Sequence, residues 1–323
     1  MNISRGLPSA PLGSFPVLTI GNFDGQHVGH RALINAVVEC ARRFNGVPMV
    51  LSFDPHPIEV LRPGTVPKFL SDTQEKYDFF ERLGVAELII LPFTQELASL
   101  TPDQFVQQVL HDGLGVRQLF VGDNFVFGKG RSGTILDLRR LGALHNFIVQ
   151  PVTPVVSGGE VVSSTRIRSC VTSGNVAEGR ACLGRPYRLT STVIQGEKRG
   201  SQIGWPTANL RISSCRVLPA DGVYATLTEL DGDCHASVAY IGKRPTFQEG
   251  ERLLEVHIFD QTLNLYGKDI SVSFIDQVRE DMTFLNVDDL LKQMDQDGAQ
   301  ARAILETYHG HSSNLLMTKE GNG

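Results

Sequence analysis

The hydrophobic period of this 323-residue chain changes near residue 185, and that change restricts the fold each half can adopt. Before it, short apolar runs at 17–20, 47–53, 87–93, 118–122 and 147–152 alternate with stretches whose apolar residues recur at helical spacing. Such a β-α-β-α rhythm predicts an α/β domain with a parallel sheet. After it the period is two: Val223, Ala225 and Leu227 alternate with Tyr224, Thr226 and Thr228, and Leu254, Val256 and Ile258 alternate with Glu255 and His257. That pattern, with an Asp231-Gly232 turn, predicts antiparallel β structure, and about six such strands suit a small closed barrel. A final helical pattern from about Val287 to Glu306 would cover it. Two domains are therefore expected, over 1–185 and 186–308, with a short linker near Gly184 to Tyr187. A disordered tail is expected from 309 to 323.

Within the first half, Thr101-Pro102-Asp103-Gln104 supplies an N-cap, a proline at the first helical position and a capping-box glutamine, and Gly84 closes a helix of about 72–83. Leu33, Val37, Ala41 and Phe44 mark one face of a helix from about 28 to 44. Between that helix and the Val17-Leu18-Thr19-Ile20 run lies Gly21-Asn22-Phe23-Asp24-Gly25-Gln26-His27-Val28-Gly29-His30. A glycine-rich loop opening a helix gathers unpaired N–H groups and the positive dipole end, which favours a phosphate. His27 and His30, three apart, point toward the same anion, and glycines at 21, 25 and 29 allow close backbone approach. In an open parallel sheet the ligand lies at the carboxyl ends of the strands, where this loop stands. Asp24, His27 and His30 as a metal trio is the weaker reading, since no H-E-x-x-H helix is present.

Composition narrows the partners. With 30 basic and 35 acidic side chains the formal net charge is −5, and no Lys/Arg run stands out, so no nucleic-acid partner is expected. The five cysteines form no C-x-x-C pair, which fits reduced thiols, and no apolar run approaches the roughly 20 residues that span a bilayer. A cytoplasmic protein without a membrane partner is expected; composition leaves the oligomeric state open.

The 21–30 segment resembles the G-x-F-D-G-x-H-x-G-H signature of nucleotidylyltransferases. With Gly122-Asp123-Asn124-Phe125-Val126-Phe127-Gly128-Lys129-Gly130-Arg131, Ser163-Ser164-Thr165-Arg166-Ile167-Arg168, Gly204-Trp205-Pro206-Thr207-Ala208-Asn209, Leu254 to Phe259 and Tyr266-Gly267-Lys268 in order, the chain resembles the bacterial bifunctional riboflavin kinase/FMN adenylyltransferase family from about residue 15 to about 306. The resemblance implies a Rossmann-like nucleotidylyltransferase domain followed by a riboflavin kinase barrel. Riboflavin plus ATP would give FMN, then FMN plus ATP would give FAD and pyrophosphate, both with Mg²⁺.

For adenylyl transfer the attacking FMN phosphate is already an anion, so the site must supply alignment and positive compensation rather than a base. Gly21, Phe23, Asp24, Gly25, Gly29, His27 and His30 are the candidates, with Ser164, Thr165, Arg166 and Arg168 as nucleotide-phosphate ligands or, on spacing alone, a capped surface helix. Gly128 to Gly133 matches G-x-G-x-x-G, yet without a clear βαβ unit it is read as a mobile basic loop. The resemblance gives Asn124 a substrate contact; an asparagine beside a turn also caps backbone.

Phosphorylating riboflavin needs a base for an alcohol, a role the resemblance gives to Glu255, which by spacing is a strand glutamate the core does not claim. Thr207 and Asn209, two apart, project from one face and offer oxygens to Mg²⁺; as a turn they would cap backbone. Gly196, Lys198, Arg199, Gly200, Gly204 and Pro206 would surround the nucleotide phosphates as a flap. Here the chain departs from the pattern: Ser201 stands where arginine is common, and Gln195 where histidine is frequent. A weakened kinase beside an adenylyltransferase acting only on FMN, or on another phosphorylated acceptor, is the alternative.

Overall fold

The computed structural model describes residues 1–9, 12–64, 68–195, 204–243, 252–261 and 263–317, with side chains described through Tyr308 in the final helix. The chain divides into two compact units, Met1–Ser164 and Thr165–Gly323.

In the first unit, strands β1 (Asn2–Arg5), β2 (Pro16–Ile20), β3 (Val47–Asp54), β4 (Glu87–Pro92), β5 (Gln118–Gly122) and β6 (Ile148–Val152) form a parallel sheet in the order β1-β4-β3-β2-β5-β6. A two-residue hairpin, β7 (Val156–Ser157) and β8 (Glu160–Val161), follows. The helices are α1 (Val28–Arg43), α2 (Pro57–Leu61), α3 (Thr73–Leu83), α4 (Gln95–Ser99), α5 (Pro102–Phe105) and α6 (Ile135–Leu144). A π-helical stretch, Val106–Gly113, continues α5. Every residue of β2 is buried, as its unbroken apolar run requires when helices cover both faces. Leu18, Ile20, Met49 and Leu51 enter the core on one side, and Val17 and Val50 pack with α1 and α3 on the other.

The expected helix ends are present. Asp72 caps α3 and Gly84 ends it in left-handed conformation, while Thr101 and Gln104 make a capping box around α5. Two features differ from the sequence pattern. β1 has no hydrophobic signature, since Ile3 is 45% exposed; it is an edge strand held by its parallel ladder to β4. The buried face of α1 is Ile34, Val37, Val38 and Ala41, wider than one stripe because α1 packs on the sheet and also meets α3. Phe44 stays half exposed, stacked on Phe15.

The second unit begins with α7 (Ser164–Thr172, its first residue in the first unit) and α8 (Val176–Leu183). Strands β9 (Tyr187–Ile194), β10 (Ala208–Leu210), β11 (Gly222–Leu230), β12 (Asp233–Lys243), β13 (Arg252–Ile258) and β14 (Asp269–Glu280) close a six-stranded antiparallel barrel in the order β10-β13-β12-β11-β14-β9. The Asp231-Gly232 turn joins β11 to β12 with φ of 52° and 93°, the two positive values of a type I′ hairpin.

Both faces of β11 are buried. Tyr224 faces the lumen with Phe274 and Tyr187, while Val223 and Ala225 lie outside under α9 (Val287–Met317), against Ala301 and Leu305. Alternation therefore separates lumen from helix-covered wall, not core from solvent. The lumen's polar residues satisfy one another: Ser237 Oγ lies 2.9 Å from Thr226 Oγ1 and 2.8 Å from Thr228 Oγ1 and donates to Thr226 O. Helix α9 runs on past Glu306 through 309–317, where no proline stops it. Residues 318–323 lie outside the described residues.

Candidate active sites

The glycine-rich loop expected to hold a phosphate follows β2 directly, turning through positive φ at Phe23, Gly25 and Gln26. His27 caps α1, its Nδ1 accepting from the His30 backbone N–H at 3.2 Å, so its own proton resides on Nε2. The two imidazoles stack with centroids 3.5 Å apart, and the edge of Phe23 meets His30 at 5.1 Å. A Cβ on Gly29 would stand 3.1 Å from His27 Nδ1, so a larger residue there would push on the ring folded back over the helix start. Burial pushes the His27 pKa down to about 4, against an upward pull from Asp24. Burial first, then His27 and Lys76, hold the His30 pKa well below the usual histidine range. Both rings are neutral near pH 7, each offering one N–H donor. His30 Nδ1 and Asn22 Oδ1 are buried without a hydrogen-bond partner among the described residues.

Two expected phosphate contacts have other tasks. The Asp24 carboxylate, 3% exposed as a residue, accepts from Leu70 N, Ser71 N and Ser71 Oγ at 3.0–3.2 Å, clamping the approach to α3 against the loop. A short buried anion surrounded by N–H groups is satisfied by its own protein. Phe23 is buried against Phe80 and His30, so its side chain is a core wall. Ser71, which no motif singles out, also accepts at its Oγ from Gly25 N at 3.1 Å and from Gln26 Nε2.

Beside this loop, a pocket of about 720 Å³ opens at the carboxyl ends of β2, β3, β4 and β5. Gly21, Asn22, Phe53, Phe93 and Phe125 contribute from those ends, with His56, Arg62 and Arg131 at its border. Its apolar wall with a few polar groups suits a flat aromatic ligand carrying an anion. Asn124 is exposed in the turn after β5. Phe127 and Gly133 pair across the Gly128–Gly133 loop at 3.1 and 2.9 Å, so it is a closed turn rather than a strand-to-helix crossover.

Ser164 Oγ donates to Asp24 O at 2.8 Å. Thr165, exposed, and half-buried Arg166 and Arg168 follow on α7, in the second unit. There Arg166 pairs with Glu178 at 2.7 Å, and Asn175 both caps α8 and donates to Glu178.

In the barrel, register assembles the second site. Asn209, Glu255, Tyr240, Val223 and Arg279 are successive cross-strand partners over β10, β13, β12, β11 and β14, a single row on the outer wall. Thr207, two residues before Asn209, joins that face and donates to Glu255 Oε2 at 3.4 Å. A hydroxyl, an amide oxygen and a carboxylate are hard oxygen donors that fit Mg²⁺. Glu255, Tyr240, Val223 and Arg279 of the row, with Thr207, line a pocket of about 350 Å³ that Trp205, His257, Asp281, Phe284 and Met294 complete. His257 meets the Trp205 ring at a tilt of 51°, centroids 4.6 Å apart, and its Nδ1 reaches Pro206 O at 2.8 Å. Trp205 in turn lies against Gly298 of α9, where a Cβ would come 2.7 Å from the indole. Burial raises the Tyr240 pKa, and its hydroxyl donates to Asp281 at 3.1 Å. Arg279 makes a two-pronged pair with Asp297 of α9, with contacts of 2.8–3.0 Å. Gly204 is an exposed turn residue with φ 84°. Gly196, Lys198, Arg199, Gly200 and Ser201 lie outside the described residues.

These two sites can be set beside known proteins. Residues 14–166 match the family described as FAD synthetase, and residues 183–305 match riboflavin kinase. Bifunctional riboflavin kinase/FMN adenylyltransferases align along most of the chain. The Escherichia coli K12 protein is 36% identical over 287 residues, covering 88% of this chain and 91% of its own. The Pseudomonas fluorescens protein is 37% identical, covering 94% and 98%. The chain belongs to the bifunctional riboflavin kinase/FMN adenylyltransferase family. A solved Streptococcus pneumoniae structure described as a macrolide-efflux protein superposes with a TM-score of 0.85 at 30% identity, covering 93% of this chain and 98% of its own. Among the described residues here, no helix is long and apolar enough to cross a membrane. The family's two activities convert riboflavin to FMN and FMN to FAD with ATP as co-substrate, and the chain carries a domain for each.

Proposed function

We propose that the two reactions divide between the two sites, with the phosphate loop adenylylating FMN and the barrel wall phosphorylating riboflavin. In the barrel, the Glu255 carboxylate takes the proton of the riboflavin terminal hydroxyl as that oxygen attacks the γ-phosphorus of ATP and ADP leaves. Thr207 and Asn209 would hold Mg²⁺, which when bound compensates charge on the transferring phosphoryl group. The apolar pocket beside the row takes the isoalloxazine, with Trp205 as a wall. The observation that carries this assignment is register: Asn209 pairs directly with Glu255, and Thr207 reaches its carboxylate at 3.4 Å.

In the phosphate loop, the FMN phosphate attacks the α-phosphorus of ATP and pyrophosphate leaves. His27 and His30, neutral and fixed by the cap and by stacking, donate N–H groups to the developing charge. The backbone of Gly21, Gly25 and Gly29 lets the phosphates approach, and Asn124 faces the acceptor. Ser164 anchors the loop; Thr165, Arg166 and Arg168 contact the nucleotide phosphates on the strength of their motif. Gly196 to Gly204, with Pro206, covers the kinase nucleotide. The functional junction falls near 185/186, Mg²⁺ serves both reactions, and the setting is cytoplasmic.

Flavins separated by chromatography after incubation with Mg-ATP test this division. Glu255→Gln blocks riboflavin consumption but leaves FMN to FAD intact, and His30→Ala does the reverse. Loss of both steps in either variant would refute separate sites.

A further inference from the structure

Lys76 stands in the second turn of α3, and no sequence motif singles it out. The Asp24 clamp on Leu70 and Ser71 fixes the segment leading into α3 against the phosphate loop. Lys76 is half-buried, its ammonium 5.9 Å from the centre of the Phe69 ring. Among the described residues, no carboxylate lies in ion-pair range of it. Asp24, the acidic residue of the loop motif, accepts from Leu70 N, Ser71 N and Ser71 Oγ. Burial lowers the Lys76 pKa against upward pulls from Asp24, Asp54 and Asp72, so the ammonium is partly desolvated beside the loop. Its charge is also felt by His30 of the loop, where it helps to lower the imidazole pKa. In the loop itself, His30 Nδ1 and Asn22 Oδ1 are buried without hydrogen-bond partners among the described residues.

We propose that Lys76 is a phosphate ligand of the adenylyl-transfer site, its ammonium binding an oxygen of the phosphate chain that the His27/His30 pair receives. The assignment rests on the adenylyl-transfer reading of the loop and adds to it a full positive charge, which two neutral imidazoles do not provide. Lys76 needs no proton transfer for this role; it offsets negative charge on the α-phosphoryl group and the departing pyrophosphate.

The test uses the full chain and Lys76→Gln, with inorganic pyrophosphate as the probe. Calorimetric affinity for pyrophosphate is measured, together with the initial rate of FMN conversion to FAD. Riboflavin phosphorylation in the same samples reports folded protein. Removing one charge-assisted contact should weaken pyrophosphate binding about tenfold or more and lower kcat/KM for FAD formation by a similar factor. Pyrophosphate binding equal to wild type overturns the assignment, and so does a slower FAD step without weaker binding, since Lys76 would then act only through the fold. Weaker pyrophosphate binding in protein that never adenylylates FMN would keep Lys76 as an anion ligand and remove the adenylyl-transfer reading instead.

Discussion

Replacing Arg279 with methionine should destabilise the barrel unit sharply, because it strands a buried carboxylate. Asp297 has a side-chain exposure of 6% and receives both prongs of the Arg279 guanidinium, at 2.8 to 3.0 Å. Its remaining donor is Gln293 Nε2 at 2.9 Å. Breaking one partner of a buried ion pair costs about 3–5 kcal/mol, and the surviving Gln293 bond puts this case near about 3. With a urea slope of about 2 kcal/mol per M, the unfolding midpoint should fall by about 1.5 M. The single tryptophan, Trp205, lies in this unit against Gly298 and His257, so its fluorescence follows the barrel transition alone. Arg279→Met/Asp297→Leu, which removes both charges and fills the space with carbon, should recover stability to within about 1 kcal/mol of wild type. A single variant shifted by less than about 0.3 M, or a double variant no better than the single, would refute the reasoning.

Glu255→Gln should lower kcat for riboflavin phosphorylation by about 10²- to 10⁴-fold, the usual worth of a general base, with FMN adenylylation as the internal control. His27 has a folded pKa of about 4 against an ordinary 6.5, so the unfolded chain binds more protons between those values. Stability from this group is therefore complete above about pH 6.5 and is lost as pH falls toward 4; His27→Asn should flatten that part of the pH–stability curve, measured by urea unfolding. Gly298→Ala places a Cβ 2.7 Å from the Trp205 indole, and should raise KM for riboflavin while FMN adenylylation keeps its KM. Asp24→Asn exchanges a carboxylate for a group with one acceptor; it should reduce FAD formation and stability together, by about 2–3 kcal/mol in urea unfolding.

Local chemistry made much of this readable. The strand–glycine loop–helix of 17–44 contains its own explanation: a buried run, a cap and a helical stripe. Glu255 was visible because its alternation set it apart from Leu254 and Val256. What stayed hidden depends on pairing between distant segments. Nothing around Tyr240 or Arg279 says that they fall in line with Glu255, because that line exists only once five strands are in register. Asp24 reads as a ligand in its motif, and only Leu70 and Ser71, supplied by a remote loop, show where its oxygens go. β1 escaped notice because edge strands do not need a buried face.

The row proposed to carry the kinase chemistry lies on the barrel's outer wall, while Tyr187, Tyr224 and Phe274 fill the inside. Selection for catalysis and selection for a rigid scaffold thus act on alternating residues of the same strands. Residues 254 and 256 can drift among apolar side chains of similar volume without touching the reaction. Under the proposed mechanism position 255 has no such freedom. A library that randomises only inward-facing positions would yield proteins differing in melting behaviour but alike in chemistry, and one confined to the row would do the opposite.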